Sequence, residues 1–261
     1  MVNRQPGPGR IPVQLLRALA AAVVLAVPAA AQDGGGSSLL LRLGPTFHAH
    51  SDLLASPFRQ RGSGIDGALA YRRGSFAVEL QAGTAVTASG DGLTAAQGGV
   101  EDVWAGALDL TWTTPVTRFA GAEVGVGAGL SAVASVRRHH YLGGSTEFFA
   151  DLLAPLSVAA NAARPVGSRG LLQEGLSLSV ATLLFRSPFA GAKTFPGASL
   201  SGPWETHVAR HRLALDRDFG PRMRIGLSHG LTLIASSRQR DLRIVRQDLT
   251  ATVTVVLGSA P

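Results

Sequence analysis

The chain has 261 residues, 46% of them hydrophobic, with 32 Gly, no Cys and a formal charge of +7 from 24 basic and 17 acidic residues. Without cysteine there is neither a disulfide framework nor a lipoprotein anchor, and no stretch beyond Ala31 is long and apolar enough for a transmembrane helix. The basic excess is almost all arginine, Lys193 being the only lysine, and no recognition motif accompanies it, which argues against a nucleic-acid partner.

The first residues read as an export leader. Arg4, Arg10 and Arg17 form a basic opening segment without an acid. Ala18 to Val27 is an apolar run of about ten residues, too short to span a bilayer as a helix. Pro28 breaks the run, and Ala29-Ala30-Ala31 supplies small residues for cleavage before Gln32. The expected organisation is a leader over 1–31, a flexible segment over 32–38, and one β domain over 39–258.

Beyond the leader the sequence alternates with a period of two, broken by Gly, Pro, Ser and Arg clusters. Strand one, about Leu39 to His50, sets Leu39, Leu41, Leu43 and Phe47 against Arg42, Thr46, His48 and His50. Strand two, about Gly64 to Arg72, sets Ile65, Leu69 and Tyr71 against Asp66 and Arg72. Strand three, about Ser75 to Thr87, sets Phe76, Val78 and Leu80 against Glu79 and Gln81. Strand four, about Val103 to Thr113, places Trp104, Leu108, Leu110 and Trp112 opposite Asp109 and Thr111.

Strand five, Phe119 to Val136, carries Glu123 and a row of glycines opposite Val124, Val126 and Leu130. Strand six, about Phe148 to Asn161, opposes Leu152, Leu156 and Val158 to Asp151 and Ser157. Strand seven, about Leu172 to Phe185, opposes Leu176, Leu178 and Val180 to Ser177 and Ser179. Strand eight, about Thr206 to Asp218, is the most polar, with Arg210, Arg212, Asp216 and Asp218 on one face. Strand nine runs from about Met223 to Ile234, and strand ten from about Gln247 to Leu257. Segments of roughly 10 to 14 residues suit tilted membrane strands better than soluble sheets. Alternate connections are short (Arg73-Gly74, Thr114 to Arg118, Ala162 to Leu171, Phe219 to Arg222). The others are mostly longer (Ser51 to Ser63, Ala88 to Asp102, Arg137 to Glu147, Arg186 to Glu205).

Leader, even strand number, alternation and unequal connections together resemble the bacterial outer-membrane β-barrel class, though no motif selects one family within it. The chain departs from that class at its end, which runs Val256 to Pro261 without a final aromatic residue. The resemblance implies an antiparallel up-and-down transmembrane barrel of about ten strands in the outer membrane. Its implied partners are membrane lipid, lipopolysaccharide and the assembly machinery, and it implies no cofactor.

On this reading the apolar faces meet lipid and the polar faces line the lumen. Asp66, Glu79, Asp109, Glu123 and Asp151 would form an acidic wall, and Arg210, Arg212 and Arg224 a basic one, paired across a narrow interior. Trp104 and Trp112 lie about 26 Å apart along one strand face, at roughly 3.3 Å per residue, and would mark the two membrane interfaces. The outer connections are rich in arginine, and Arg59, Arg61, Arg137, Arg138, Arg238 and Arg240 are candidates for lipopolysaccharide phosphates.

Chemistry finds less support. His48, His50, His139 and His140 fall near one rim, but their spacing fixes no metal site, and none is expected. His50-Ser51 and Ser228-His229 are adjacent pairs, whose side chains point to opposite faces of a strand, so no serine is matched to a base. Asp91, Glu101, Asp102 and Glu147 read as solvated loop acids. The expected role is structural or surface-interacting, with a largely filled, charged lumen. A small-solute pore and an outer-membrane hydrolase of lipid or peptide are the alternatives, and no catalytic residue is assigned.

Overall fold

The computed structural model describes residues 36–52, 56–89, 99–141, 144–186, 198–238 and 241–257, the side chains of 56–58 aside. The expected leader lies outside these residues. All regular structure among them is β. The strands are β1 (Ser37–Asp52), β2 (Ser56–Arg73), β3 (Phe76–Ser89), β4 (Val100–Phe119), β5 (Ala122–His140), β6 (Thr146–Val166), β7 (Gly170–Arg186), β8 (Ala198–Ser201), β9 (Thr206–Asp218), β10 (Met223–Ser236) and β11 (Leu242–Val256).

Neighbours in sequence pair antiparallel from β1 to β7 and from β9 to β11. The four-residue β8 and the longer β9 both pair with β7. β1 pairs with β11, from Ser38 opposite Val256 to Asp52 opposite Leu242, and this closes the sheet. The result is a ten-stave up-and-down barrel with β8 as a short extension of the β7–β9 link. Closure leaves no unpaired edge among the staves, as a strand-built membrane span requires.

Both ends of the barrel chain lie at one rim, the terminal end. Connections there are residues 74–75, 120–121, 167–169 and 219–222. The 120–121 turn has φ of 49° at Ala120 and 78° at Gly121, the two positive values that a tight two-residue hairpin demands. The loop end carries residues 53–55, 90–99, 141–145, 187–205 (which include β8) and 237–241. Several of these are shorter than the alternation suggested, because the strands run on: β2 begins at Ser56 rather than Gly64, and β5 ends at His140 rather than Val136.

Burial is inverted relative to a soluble protein. Leu43, Ile65 and Leu227 are each 61% exposed, while Arg42, Asp66, Asp151, Asp216 and Thr252 are buried. So continuous an apolar exterior is costly in water and favourable in lipid. The 21 residues of β6 stand about 50 Å high at roughly 3.3 Å per residue and 40° of tilt, about twice an apolar band of ~25 Å. The strands therefore continue past the belt, and polar outward residues such as Arg59, Arg61, Asp102 and Arg243 gather at the loop end.

One irregularity decides what enters the lumen. Along β6 and β7 the register passes from Leu156 opposite Ala181 to Ser157 opposite Ser179, leaving Val180 as an extra residue. A bulge of this kind switches the inward parity of a strand. Ser177 and Ser179 face inward below it; Thr182, Leu184 and Arg186 face inward above it. The apolar core sits inside the barrel, where Leu153, Leu184, Val208, Ile234, Leu242 and Ile244 cluster with Val133 in the loop half.

Candidate functional site: the barrel lumen

The loop half of the lumen holds a closed ring of charges. Arg137 from β5 donates to Asp52 of β1 at 2.6 Å and also to Asp151 of β6. Arg186 from β7 donates to Asp52 at 2.6 Å and, through Nε, to Asp151 at 2.8 Å. Two guanidinium groups thus alternate with two carboxylates from other strands, an arrangement without net charge. All four side chains are at most 2% exposed. Removing one member of such a buried set would strand its partners, at a cost of about 3–5 kcal/mol.

A second chain lies beside the ring. Glu101 of β4 accepts from His139 Nδ1 at 2.9 Å and faces His50 Nε2 at 2.7 Å. A carboxylate only accepts, so the geometry places a proton on each of these nitrogens. The His48 and His50 rings meet edge-on, with centroids 5.2 Å apart. Of the four histidines near the rim, three enter the lumen; His140 points outward and meets Asp102 at 3.2 Å. Among the described residues no group of three or more His, Asp or Glu is arranged to hold a metal.

Further toward the terminal end, Asp66 pairs with Arg246 and accepts from Gln81 at 2.8 Å. Asp248 stands nearby over Gly230, where a Cβ would come within 2.3 Å of its carboxylate. Below this level a cavity of about 360 Å³ opens. One wall of it is made by small inward residues: Gly129 and Ser131 on β5, Ser157 and Ala159 on β6, Gly175 and Ser177 on β7. Arg210 pairs with Asp109 across the lumen, and Arg42 of β1 pairs with Glu79 of β3 over the intervening β2. Arg212 stands 3.7 Å from Glu79. Arg72 donates to Gln173 at 3.2 Å, Gln173 donates to Asp216 at 3.2 Å, and Thr252 donates to Asp216 at 2.7 Å.

Several expected site residues change place. Glu123 has the inward parity but lies at the terminal rim, with its side chain 53% exposed and 4.0 Å from Arg118, so it is no lumen charge. Arg224 is also a rim residue, paired with Asp218 at 2.7 Å. Arg137 is inside the barrel, fully buried, because β5 continues four residues beyond its expected end; it offers nothing to an external phosphate.

Arg59 and Arg61 are exposed on the outer face of β2. Arg138 lies over the Trp104 ring, 5.5 Å from its centroid, and pairs with Asp102. Arg238 pairs with Glu205 at 2.9 Å, and Arg240 lies outside the described residues. Trp104 and Trp112 both face outward.

Arg42, Asp52, Arg72, Glu101, His139, Arg186, Asp216, Arg246 and Asp248 complete the lumen networks without having been singled out as lumen charges. Arg42, Arg72, Asp216 and Asp248 lie within expected strands; the other five sit in strand ends whose polar residues imitate loop. The usable signal was the alternation itself, continued past the last hydrophobic residue, as in Glu101-Asp102-Val103 and Val136-Arg137-Arg138-His139.

A closed antiparallel barrel of ten staves, apolar outside and charged within, is the architecture of bacterial outer-membrane β-barrels. Consistent with that class, the chain is similar in structure to the outer-membrane protease OmpT from Escherichia coli, with a TM-score of 0.52 and 8% identity over 85% of this chain and 97% of that one. The translocator domain of the autotransporter NalP from Neisseria meningitidis gives a TM-score of 0.43 and 10% identity, covering 95% of each chain. Neisserial surface protein A gives 0.40 and 9% identity over 84% of this chain and 98% of that one. At such identity the OmpT likeness shows the fold alone. No family model and no curated protein matches the chain.

Proposed function

We propose that this chain is an outer-membrane barrel with a structural or surface-interaction role, its lumen closed by its own side chains. The observation that carries this reading is the filling of the loop half. The apolar cluster from Leu153 to Ile244 and the Asp52–Arg137–Asp151–Arg186 ring occupy the lumen at one level with almost no exposed surface. A solute would have to displace both, and breaking the ring alone costs about 3–5 kcal/mol. The leader ending at Ala31 would deliver the chain, and the assembly machinery would insert it with its terminal end in the periplasm. In planar bilayers the folded chain is expected to give no stepwise conductance; regular single-channel steps would overturn the closed-lumen reading in favour of a pore.

The surface part of the role rests on arginines outside the barrel. Arg59 and Arg243 both lie opposite Ser51, one on each neighbouring strand, and Arg61 lies opposite Ala49. All three are exposed, a short step beyond the outward Phe47 of the apolar belt. Guanidinium groups at that level suit the phosphates of lipopolysaccharide. Proteolysis is a property of OmpT. Among the described His–carboxylate pairs, those of His50 and His139 with Glu101 are buried, while His140 with Asp102 and His211 with Glu174 lie on the outer face.

A further inference from the structure

The two halves of the lumen differ in what their charges do. In the loop half Arg137 and Arg186 each hold two carboxylates, although Arg137 Nε and Nη1 are buried without a partner. In the terminal half four arginines, Arg42, Arg72, Arg210 and Arg212, face three inward carboxylates, Glu79, Asp109 and Asp216, and Asp216 is held by neutral donors alone. Glu79 takes Arg42, Asp109 takes Arg210, and Asp216 takes Gln173 and Thr252.

Two arginines remain on different walls of the same cavity. Arg72 of β2 spends its hydrogen bond on the neutral carbonyl of Gln173. Arg212 of β9 keeps Nη1 buried without a hydrogen-bond partner, because Glu79 at 3.7 Å is too far to accept. Both line one cavity, and a buried donor without an acceptor, as at Arg212 Nη1, is costly. An anion in the cavity would supply acceptors to both groups.

We propose that this cavity is a binding site for a small soluble oxyanion, a phosphomonoester or a carboxylate, held by Arg72 and Arg212. The planar fork of arginine presents paired N–H donors that match two oxygens of either group. The volume of about 360 Å³ lies at the lower end for small-molecule pockets, so the ligand is small. The cavity reaches the turn at Gly74 and Ser75 and is closed above by the apolar cluster. It is therefore a one-ended pocket entered from the terminal end, and lipid, which meets the outer faces of the staves, does not reach it. The proposal goes beyond the surface role and depends only on the cavity.

The test is calorimetric titration of the full chain, folded in a phosphate-free nonionic detergent, with inorganic phosphate and separately with succinate. Saturable one-site binding of at least one anion is expected. It should weaken at least tenfold in R72Q and in R212Q, and stay within twofold of the parent in R118Q, whose exposed arginine lies at the same rim. Folding of each variant is checked by its heat-modifiable migration on gels. R72Q loses no carboxylate partner, so it decides the matter if R212Q fails to fold. Absence of binding by the parent would overturn the site. So would equal weakening in R118Q, which means diffuse attraction, or binding seen only when anionic phospholipid is added to the micelle, which means a headgroup site on the outer face.

Discussion

Arg186, the last residue of β7, donates to Asp52, the last residue of β1, at 2.6 Å across the lumen and 134 residues of sequence. With Arg137 and Asp151 it closes a ring that ties β1 to β5, β6 and β7, strands that do not all pair with one another. The ring thus acts on the cross-section of the barrel, which the ladder hydrogen bonds between neighbours do not fix.

Replacing Arg186 by Ala leaves two buried carboxylates sharing one cation. The barrel should lose about 3–5 kcal/mol, read as a lower urea midpoint for unfolding from detergent or bilayers. Arg238→Ala, which breaks an exposed pair with Glu205 at the same end, should cost less than about 1 kcal/mol. Equal losses would mean that the ring carries no special weight.

The bulge at Val180 shifts the inward parity of β7 between Ser179 and Thr182. Deleting Val180 removes the extra residue and leaves Ser179, Thr182, Leu184 and Arg186 in regular alternation, all still facing inward. The folded fraction on heat-modifiability gels is expected to stay close to the parent's and well above that of Arg186→Ala. A deletion variant that folds as poorly as Arg186→Ala would show that the side chain at 180, or the bulge itself, is needed for more than parity.

Sidedness is testable by paired substitutions. Leu108 faces outward near the middle of β4, and Leu108→Arg should cost about 2–4 kcal/mol near the bilayer midplane. Thr254 faces inward on β11, and Thr254→Ser should be close to neutral. Asp109, although also inward, is not a neutral control, because it pairs with Arg210. Similar tolerance of Leu108→Arg and Thr254→Ser would refute the inside–outside assignment.

The outward arginines make a separate prediction. Arg59, Arg61 and Arg243 changed together to Gln should lower retention on immobilised lipopolysaccharide, and the parent should lose retention as ionic strength rises. Urea unfolding should hardly change, since exposed charges contribute little to stability. Retention equal to the parent at low salt would leave these residues as solvated charges. Arg137→Gln, by contrast, should act on folding, because Arg137 lies within the ring.

Local chemistry determined a good deal. An alternation such as Trp104, Leu108, Leu110 and Trp112 against Asp109 and Thr111 is imposed by the pleat of a single strand, so barrel class, strand number and the two faces were legible in the sequence. Arg210 and Asp109 could both be assigned to the lumen for the same reason.

Tertiary structure alone decided where strands stop and which charges meet. Glu101, Arg137, His139 and Arg186 imitate loop residues, and only pairing with neighbouring strands keeps their segments extended. The parity of β7 beyond Val180 depends on the register of β6, and the Asp52–Arg186 contact depends on closure by β1 and β11. Register and closure are properties of several strands at once, and a side chain's partner across a barrel has no trace in its own segment.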